Sequence, residues 1–366
     1  MIEGGAVSSR AKEAPAIPRD VVSGASVVDL FCGAGGLSHG FHQEGFSIAA
    51  GVDFDEACRF AFEKNNDAKF LQRDVAELEA EEVANLFQPG TRRVLVGCAP
   101  CQPFSTYNQK NDDPKWQLLG RFAKLIDEIR PDVVSMENVP RLLNFKDGQV
   151  FRSFVSTLEA AEYHVVFDVL YGPDFGLAQT RSRLVLLASR LGAIKLPVPT
   201  HPDGYRTVRE EIGALPPIGH GDCDPTDPLH RASKLAPINV RRIDSSKPGG
   251  TWRDWDSELV AKCHTQEAGR GYSSVYGRMS WDAPSPTITT QFFGFGNGRF
   301  GHPDQQRALS LREGAMLQGF PRDYAFVAPE QPVSFKAVGR LIGNAVPVKL
   351  ASAIARAVRS HLEELG

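Results

Sequence analysis

Ala25-Ser26-Val27-Val28-Asp29-Leu30-Phe31-Cys32-Gly33-Ala34-Gly35-Gly36, followed by Leu37 to Glu44, decides the fold. The β-branched run from Ala25 to Phe31 predicts a strand, the glycines force a turn, and Leu37 to Glu44 predicts a helix. That order opens a Rossmann-like sheet, whose glycines let backbone approach a ligand at the helix N-terminus. A second strand, Ile48 to Val52, ends in Asp53, twenty residues after Gly33. An acidic side chain at that offset is placed to accept hydrogen bonds from ribose hydroxyls. The glycines alone could mark no more than a tight turn. With Asp53 in register they point to an adenosine-containing cofactor.

Further along, Val94-Leu95-Val96-Gly97-Cys98-Ala99-Pro100-Cys101-Gln102-Pro103-Phe104-Ser105 pairs another predicted strand with different chemistry. Gly97 and the prolines stop the strand, so Cys101 sits on a loop leaving its end. Loops at the carboxyl ends of parallel strands line the ligand crevice of an open α/β sheet. The Cys101 thiol is therefore a candidate nucleophile, with a buried structural cysteine as the plainer reading. Cys98 and Cys101 also have the C-x-x-C spacing of a redox pair or half a zinc site. The remaining cysteines are scattered singly, and Gln102-Pro103 with Pro114 keep this stretch in loop. Neither role is expected.

Phe70 to Asp74 predicts a short strand with Asp74 at its carboxyl end, in reach of an adenine amino group or capping the next helix. Leu118 to Ile129 has helical spacing closed by Pro131, and Val133 to Met136 is a strand that delivers Glu137. A carboxylate there is expected to share the crevice with Cys101, with a solvated loop residue as the plainer reading. Phe151 to Ala160 predicts a helix, and Val165 to Leu170 and Leu184 to Ala188 predict strands. Arg181 and Arg183, alternating in Gln179-Thr180-Arg181-Ser182-Arg183, point to one face and suit an anion or a carbonyl oxygen. Surface salt bridges are the alternative.

The composition, 42% hydrophobic and 23% charged over 366 residues, is that of a globular chain with room for two lobes. No apolar run reaches membrane-span length, and the first 20 residues lack the features of a signal peptide, which predicts a cytosolic protein with a frayed tail. Six unclustered cysteines fit reduced thiols. Lys plus Arg number 20 against 26 acids in residues 1–194 but 21 against 18 in residues 195–366. That tilt gives slight support to a polyanion partner for the second half. From Leu191 the texture turns rich in Pro, Gly, Asp and His, which predicts a second domain of loops and short strands. Within it, the stretches Arg270 to Arg278 and Thr287 to Gly296 interleave arginine, aromatics and glycine. This suits contact with nucleic acid, or a small glycine-kinked sheet around an aromatic core. Gly343-Asn344-Ala345-Val346-Pro347 precedes an amphipathic helix, Val348 to Leu362, with Pro347 near its first position.

Taken in order, these pieces resemble the cytosine-C5 DNA methyltransferase family of the prokaryotic restriction-modification type. The resemblance rests on Asp29 to Gly36, Pro100-Cys101-Gln102, Glu137-Asn138-Val139, Gln179 to Arg183, Arg307 to Pro321 and Gly343-Asn344, and covers residues 25–190 and 285–356. It implies an α/β fold: a Rossmann-like S-adenosylmethionine-dependent methyltransferase sheet with a smaller, loop-rich target-recognition domain. Residues 1–24 would be a tail, 25–191 with 326–366 a discontinuous catalytic domain, and 192–325 the target-recognition domain.

The implied reaction moves a methyl group from S-adenosylmethionine to C5 of a cytosine flipped out of a specific duplex sequence, through a covalent Cys101–C6 adduct, leaving S-adenosylhomocysteine. No metal is required. The resemblance makes Glu137 the residue holding N3 and the exocyclic amine, Arg183 the contact to the base carbonyl oxygen, and Arg181 its support. Phe31, Gly33, Gly35, Asp53, Phe54 and Asp74 become cofactor contacts. Val75, Pro100 and Leu118 join them, with Asn344 and Val346 at the methionine end. Ser105 and Thr289 would meet DNA, with Arg270, Tyr276 and Arg278 as candidate base readers. The implied setting is a monomer in the prokaryotic cytoplasm, at the nucleoid, acting separately from any cognate endonuclease. A tRNA-methylating branch of the family is the nearest rival, and the long segment from Leu191 to Ala283 favours duplex DNA. A non-catalytic DNA-binding relative would be expected to have lost Cys101 or Glu137, and both are present.

Overall fold

The computed structural model describes residue 22 and residues 24–100 and 114–365. Among these, seven strands form a sheet: β1 (Ala25–Leu30), β2 (Ser47–Asp53), β3 (Lys69–Gln72), β4 (Arg92–Gly97), β5 (Val133–Asn138), β6 (His164–Tyr171) and β7 (Ser182–Ser189). Their order is β3-β2-β1-β4-β5-β7-β6. β1 to β5 are mutually parallel, and β7 runs antiparallel to both β5 and β6.

The continuous apolar runs follow from burial on both faces. Successive side chains of a strand point to opposite sides. Val27, Val94 and Val133 accordingly enter one core, and Val28, Leu95 and Val134 enter the other. Helices α1 (Gly36–Gln43), α2 (Arg59–Asn66), α5 (Leu311–Leu317), α6 (Phe335–Asn344) and α7 (Val348–Glu363) contribute to the first core. α3 (Gln117–Ile129) and α4 (Gln149–Ala160) cover the second. α3 buries Leu119, Phe122, Ala123, Leu125, Ile126 and Ile129, a helical stripe that ends where Arg130 turns left-handed before Pro131. α7 returns from the far end of the chain to lie on α1. A Cβ added to Gly40 would stand 2.4 Å from that of Ala351, so only glycine permits this approach.

From residue 190 to residue 310 the described residues form short helices and isolated bridges, such as Cys223 with Arg231 and Arg278 with Gly301, but no extended strand. The short strands expected here are therefore single pairings, because frequent proline and glycine remove ladder donors and side-chain support. An aromatic nucleus of Trp252, Trp255, Tyr276 and Phe295 takes their place, with Arg242 and Arg253 lying over its rings. Arg278, expected to read DNA, is only 5% exposed. Its guanidinium donates to the carbonyls of Ile243, His302, Pro303 and Gln305, so it staples loops together.

α5 joins the core shared with α1 and α7 through Leu311, Ala315 and Leu317. It begins at a capping box between Ser310 and Glu313. Both Glu313 oxygens accept from Arg307 at 2.7 Å, with Arg307 0% and Glu313 1% exposed. Burial alone would raise the Glu313 carboxyl, but the Arg307 charge and hydrogen bonds more than offset it, leaving it at about 2. Removing one partner strands a buried charge. Glu313→Ala is expected to cost about 3–5 kcal/mol of unfolding free energy in a urea titration, where a loss below about 1 kcal/mol would mark an ordinary surface pair.

Candidate active site

Strand order reverses between β1 and β4, and the crevice opens beyond their carboxyl ends. Phe31 leaves β1 at φ 62°, a conformation costly for an aromatic residue. Gly33 and Gly35 also have positive φ, which completes the turn into α1. The Gly33 N–H donates to Asp53 Oδ2 and the Asp55 N–H to Asp53 Oδ1, each at 2.9 Å. The twenty-residue offset seen in sequence is thus a hydrogen bond between the first turn and the end of β2.

These residues form one wall of a cleft enclosing about 960 Å³ of space, part of it open to solvent. Its lining of glycine backbone, carboxylates and aromatic rings suits a nucleoside-containing ligand. Arg340, Asn344 and Val346 form the opposite wall. Phe54 stands at this cleft with 64% of its surface exposed.

Phe31, Gly33, Asp53, Phe54, Pro100, Asn344 and Val346, all singled out from sequence, line this cleft. Gly35, Asp74, Val75 and Leu118 do not. Gly35 backs onto Asn66, Val75 is buried in the opposite core, and Leu118 lies in the first turn of α3. Asp74 Oδ1 accepts from the Ala76 N–H at 2.9 Å, which is the capping role.

Two features of the cleft escaped the sequence reading. An ion pair from Arg340 to Asp55 joins its walls. Asp29, 1% exposed on the same lining, accepts from Ser38 Oγ at 2.7 Å with Oδ2, while Oδ1 has no hydrogen-bond partner among the described residues. Burial holds the Asp29 carboxyl up at about 7, with the Ser38 hydroxyl pulling the other way. A carboxylate inside a strand pattern reads as a register defect, and only the fold shows that it faces a cavity.

The same cleft continues to Cys98, Ala99 and Pro100. Cys98 donates from Sγ to Glu137 Oε2 at 2.9 Å. Glu137 is 1% exposed, and Arg183 Nε lies 2.9 Å from Oε1. That contact has ion-pair distance without hydrogen-bond alignment, so Oε1 keeps its acceptor capacity. Asn138 Nδ2 donates to the Ala99 carbonyl at 3.0 Å, binding the two loops together. Arg183 arrives because β7 is antiparallel to β5, so its first residues lie beside the last of β5, with Leu184 opposite Asn138.

Arg181 diverges from Arg183: its Nη1 donates to the Ile288 carbonyl at 3.0 Å, while Gln179 Oε1 accepts from the Ile288 N–H at 2.9 Å. Cys101 and Ser105 lie outside the described residues. Thr289 and Arg270 are exposed. Tyr276 is half-buried, its ring centroid 5.8 Å from that of Trp255 and 5.5 Å from that of Phe295, so it serves the aromatic nucleus.

The site thus couples the glycine-lined cleft to a buried carboxylate with one open acceptor beside a guanidinium. Such a pair can hold the amine and ring N–H of a planar base next to the cleft.

The family model for C-5 cytosine-specific DNA methylases matches residues 25–360. The chain is 52% identical over 342 residues to the type II methylase M.HgiDII of Herpetosiphon aurantiacus, covering 93% of this chain and 96% of that one. It is 31% identical to the type II methyltransferase M1.HphI of Haemophilus parahaemolyticus, over 90% of this chain and 86% of the relative. Among solved structures, a prophage-encoded E. coli protein assigned as a DNA modification methyltransferase superposes with a TM-score of 0.73 at 22% identity, covering 93% of this chain and 99% of that chain. Entamoeba histolytica methyltransferase EhMeth does so at 0.62 and 15% identity, with the same coverage. At these identities the structural likeness is one of fold.

Asp29 supplies a test of the cleft's electrostatics. Its carboxyl titrates near 7 when folded against an ordinary 3.8, so its contribution to stability falls as pH rises across that interval and stays unfavourable above it. Asp29→Asn cannot ionise. The Tm of the variant relative to the parent is expected to rise by a few degrees between about pH 5 and about pH 8. Calorimetry in matched buffers reads this, and a pH-independent difference would contradict the assignment.

Proposed function

Since the chain belongs to the C-5 cytosine-specific DNA methylase family and is a DNA cytosine-C5 methyltransferase, we propose that it acts on a cytosine flipped out of a specific duplex sequence, through an adduct between Cys101 and C6. The observation that supports this most is the Glu137 carboxylate, buried beside Arg183 with Oε1 open, on the Cys98 wall of the glycine-lined cleft.

The cleft suits S-adenosylmethionine. Asp53 is positioned for ribose hydroxyls, the exposed Phe54 ring for an adenine face, and Asn344 and Val346 for the amino-acid end. The unpartnered Asp29 Oδ1 suits a cationic group. When bound, this cofactor supplies an electrophilic methyl group.

Cytosine C5 is too weak a nucleophile to be methylated directly. The Cys101 thiolate adds to C6, forming the S–C bond and pushing electron density through C5 towards N3. Glu137 holds N3 and the exocyclic amine and shares the proton at N3 as charge develops there. Arg183 steadies the base carbonyl oxygen, with Arg181 anchoring its strand to the Ile288 segment. After methylation a base or hydroxide removes the C5 proton, the S–C bond breaks, and the aromatic ring is restored. Unstacking the target costs a few kcal/mol, recovered in the pocket. Ser105, Thr289 and Arg270 are placed on the DNA side of this reading, which divides the chain into a sheet domain, 25–191 with 326–366, and a target-recognition domain, 192–325. It further takes the enzyme as a cytoplasmic monomer, with a cognate endonuclease acting separately.

Cys101→Ser is expected to reduce methyl incorporation into duplex DNA to background while leaving cofactor affinity intact. Glu137→Gln should lower kcat by about 10²–10⁴-fold. Duplex DNA carrying 5-fluorocytosine should form a denaturant-resistant complex, because fluorine cannot leave as a proton does. Turnover by Cys101→Ser, absence of the complex, or preferred methylation of tRNA would each overturn the reading.

A further inference from the structure

The mechanism uses Cys101 and leaves the second thiol of the same loop, Cys98, without a task. We propose that Cys98 is a positioning residue for the reaction: its thiol fixes the Glu137 carboxylate so that Oε1 is presented to the base. The proposal rests on Glu137 being the base-holding carboxylate.

Register places the pair. Gly97 lies opposite Met136 in the parallel β4–β5 ladder, so Cys98 and Glu137 follow side by side at the carboxyl edge. Both flanks of Cys98 are restrained. A Cβ on Gly97 would stand 3.0 Å from the Leu30 carbonyl and 3.1 Å from the Phe122 ring, and the Ala99 carbonyl accepts from Asn138. The thiol is therefore delivered to Glu137 by packed backbone.

Direction follows from chemistry. A thiol S–H donates and a carboxylate oxygen accepts, so Cys98 donates to Oε2 across the observed 2.9 Å. Among the described residues, this is the hydrogen bond that Glu137's carboxylate receives. Arg183 approaches Oε1 without hydrogen-bond alignment, and 1% exposure leaves little room for solvent. Arg183 supplies charge, and Cys98 supplies orientation. With Oε2 engaged, the carboxylate turns Oε1 outward as the acceptor for the base.

Full-length Cys98→Val keeps a similar volume without a donor, and Cys98→Ser keeps a donor. Cys98→Ala replaces the valine variant if the branched side chain disturbs folding. Each is measured for methyl transfer to duplex DNA and for S-adenosylhomocysteine affinity. Cys98→Val is expected to lower kcat about five- to twentyfold. Cofactor affinity should stay within about twofold, and Cys98→Ser should recover most of kcat. In a Glu137→Gln background, Cys98→Val should have no further effect.

Parental kcat in Cys98→Val would overturn the proposal. So would a serine variant as impaired as the valine one, or a loss that persists without the Glu137 carboxylate. Failure of the underlying reading looks different: Glu137→Gln would then turn over like the parent, whatever the Cys98 variants do.

Discussion

The site depends on the parallel adjacency of β4 and β5. Gly97 faces Met136 across the ladder, and the residues that follow leave the sheet at the same edge. The Cys98–Glu137 and Asn138–Ala99 contacts are consequences of that single register. A slip of one residue would turn every side chain to the opposite core and carry the Glu137 carboxylate with it. Burial on both faces makes such a slip costly, because Val94, Leu95, Val133 and Val134 are all fully enclosed.

Around this edge the chain gathers segments distant in sequence. β7 contributes Arg183 because it runs against β5, and the return of α6 and α7 brings Arg340, Asn344 and Val346 to the wall opposite Asp53. The Gln179–Arg183 segment is bonded to the backbone at Ile288, so an element of the sheet lobe is continuous with one that leads away from it. The buried Arg307–Glu313 pair then sets the start of α5, which shares a core with α6 and α7.

Legibility differed among residues for physical reasons. Gly33 and Asp53 were readable because a turn glycine and a strand-end acid at a fixed offset have few other uses, and the structure joins them directly. Arg278 and Tyr276 were misread because arginine, aromatics and glycine suit a nucleic-acid surface and a loop-rich core equally well. Burial and the four carbonyl acceptors of Arg278 decided between them. Asp74 held two roles in sequence, and its side chain is engaged in the cap. Asp29 and the Arg340–Asp55 pair carry no local signature: the first looks like a polar break in a strand, and the second spans 285 residues.

By itself, the sequence determined the strands and helices of the sheet lobe and the chemistry carried at their ends, since apolar periodicity and glycine or proline stops are local properties. It also determined the family, because six short stretches in one order are hard to meet by chance. Only the tertiary structure decided which strand ends share a crevice, that β7 is antiparallel, and that Cys98 meets Glu137. Those facts depend on strand order and direction, which arise from packing between segments far apart in the chain and leave no trace in the spacing of residues within any one of them.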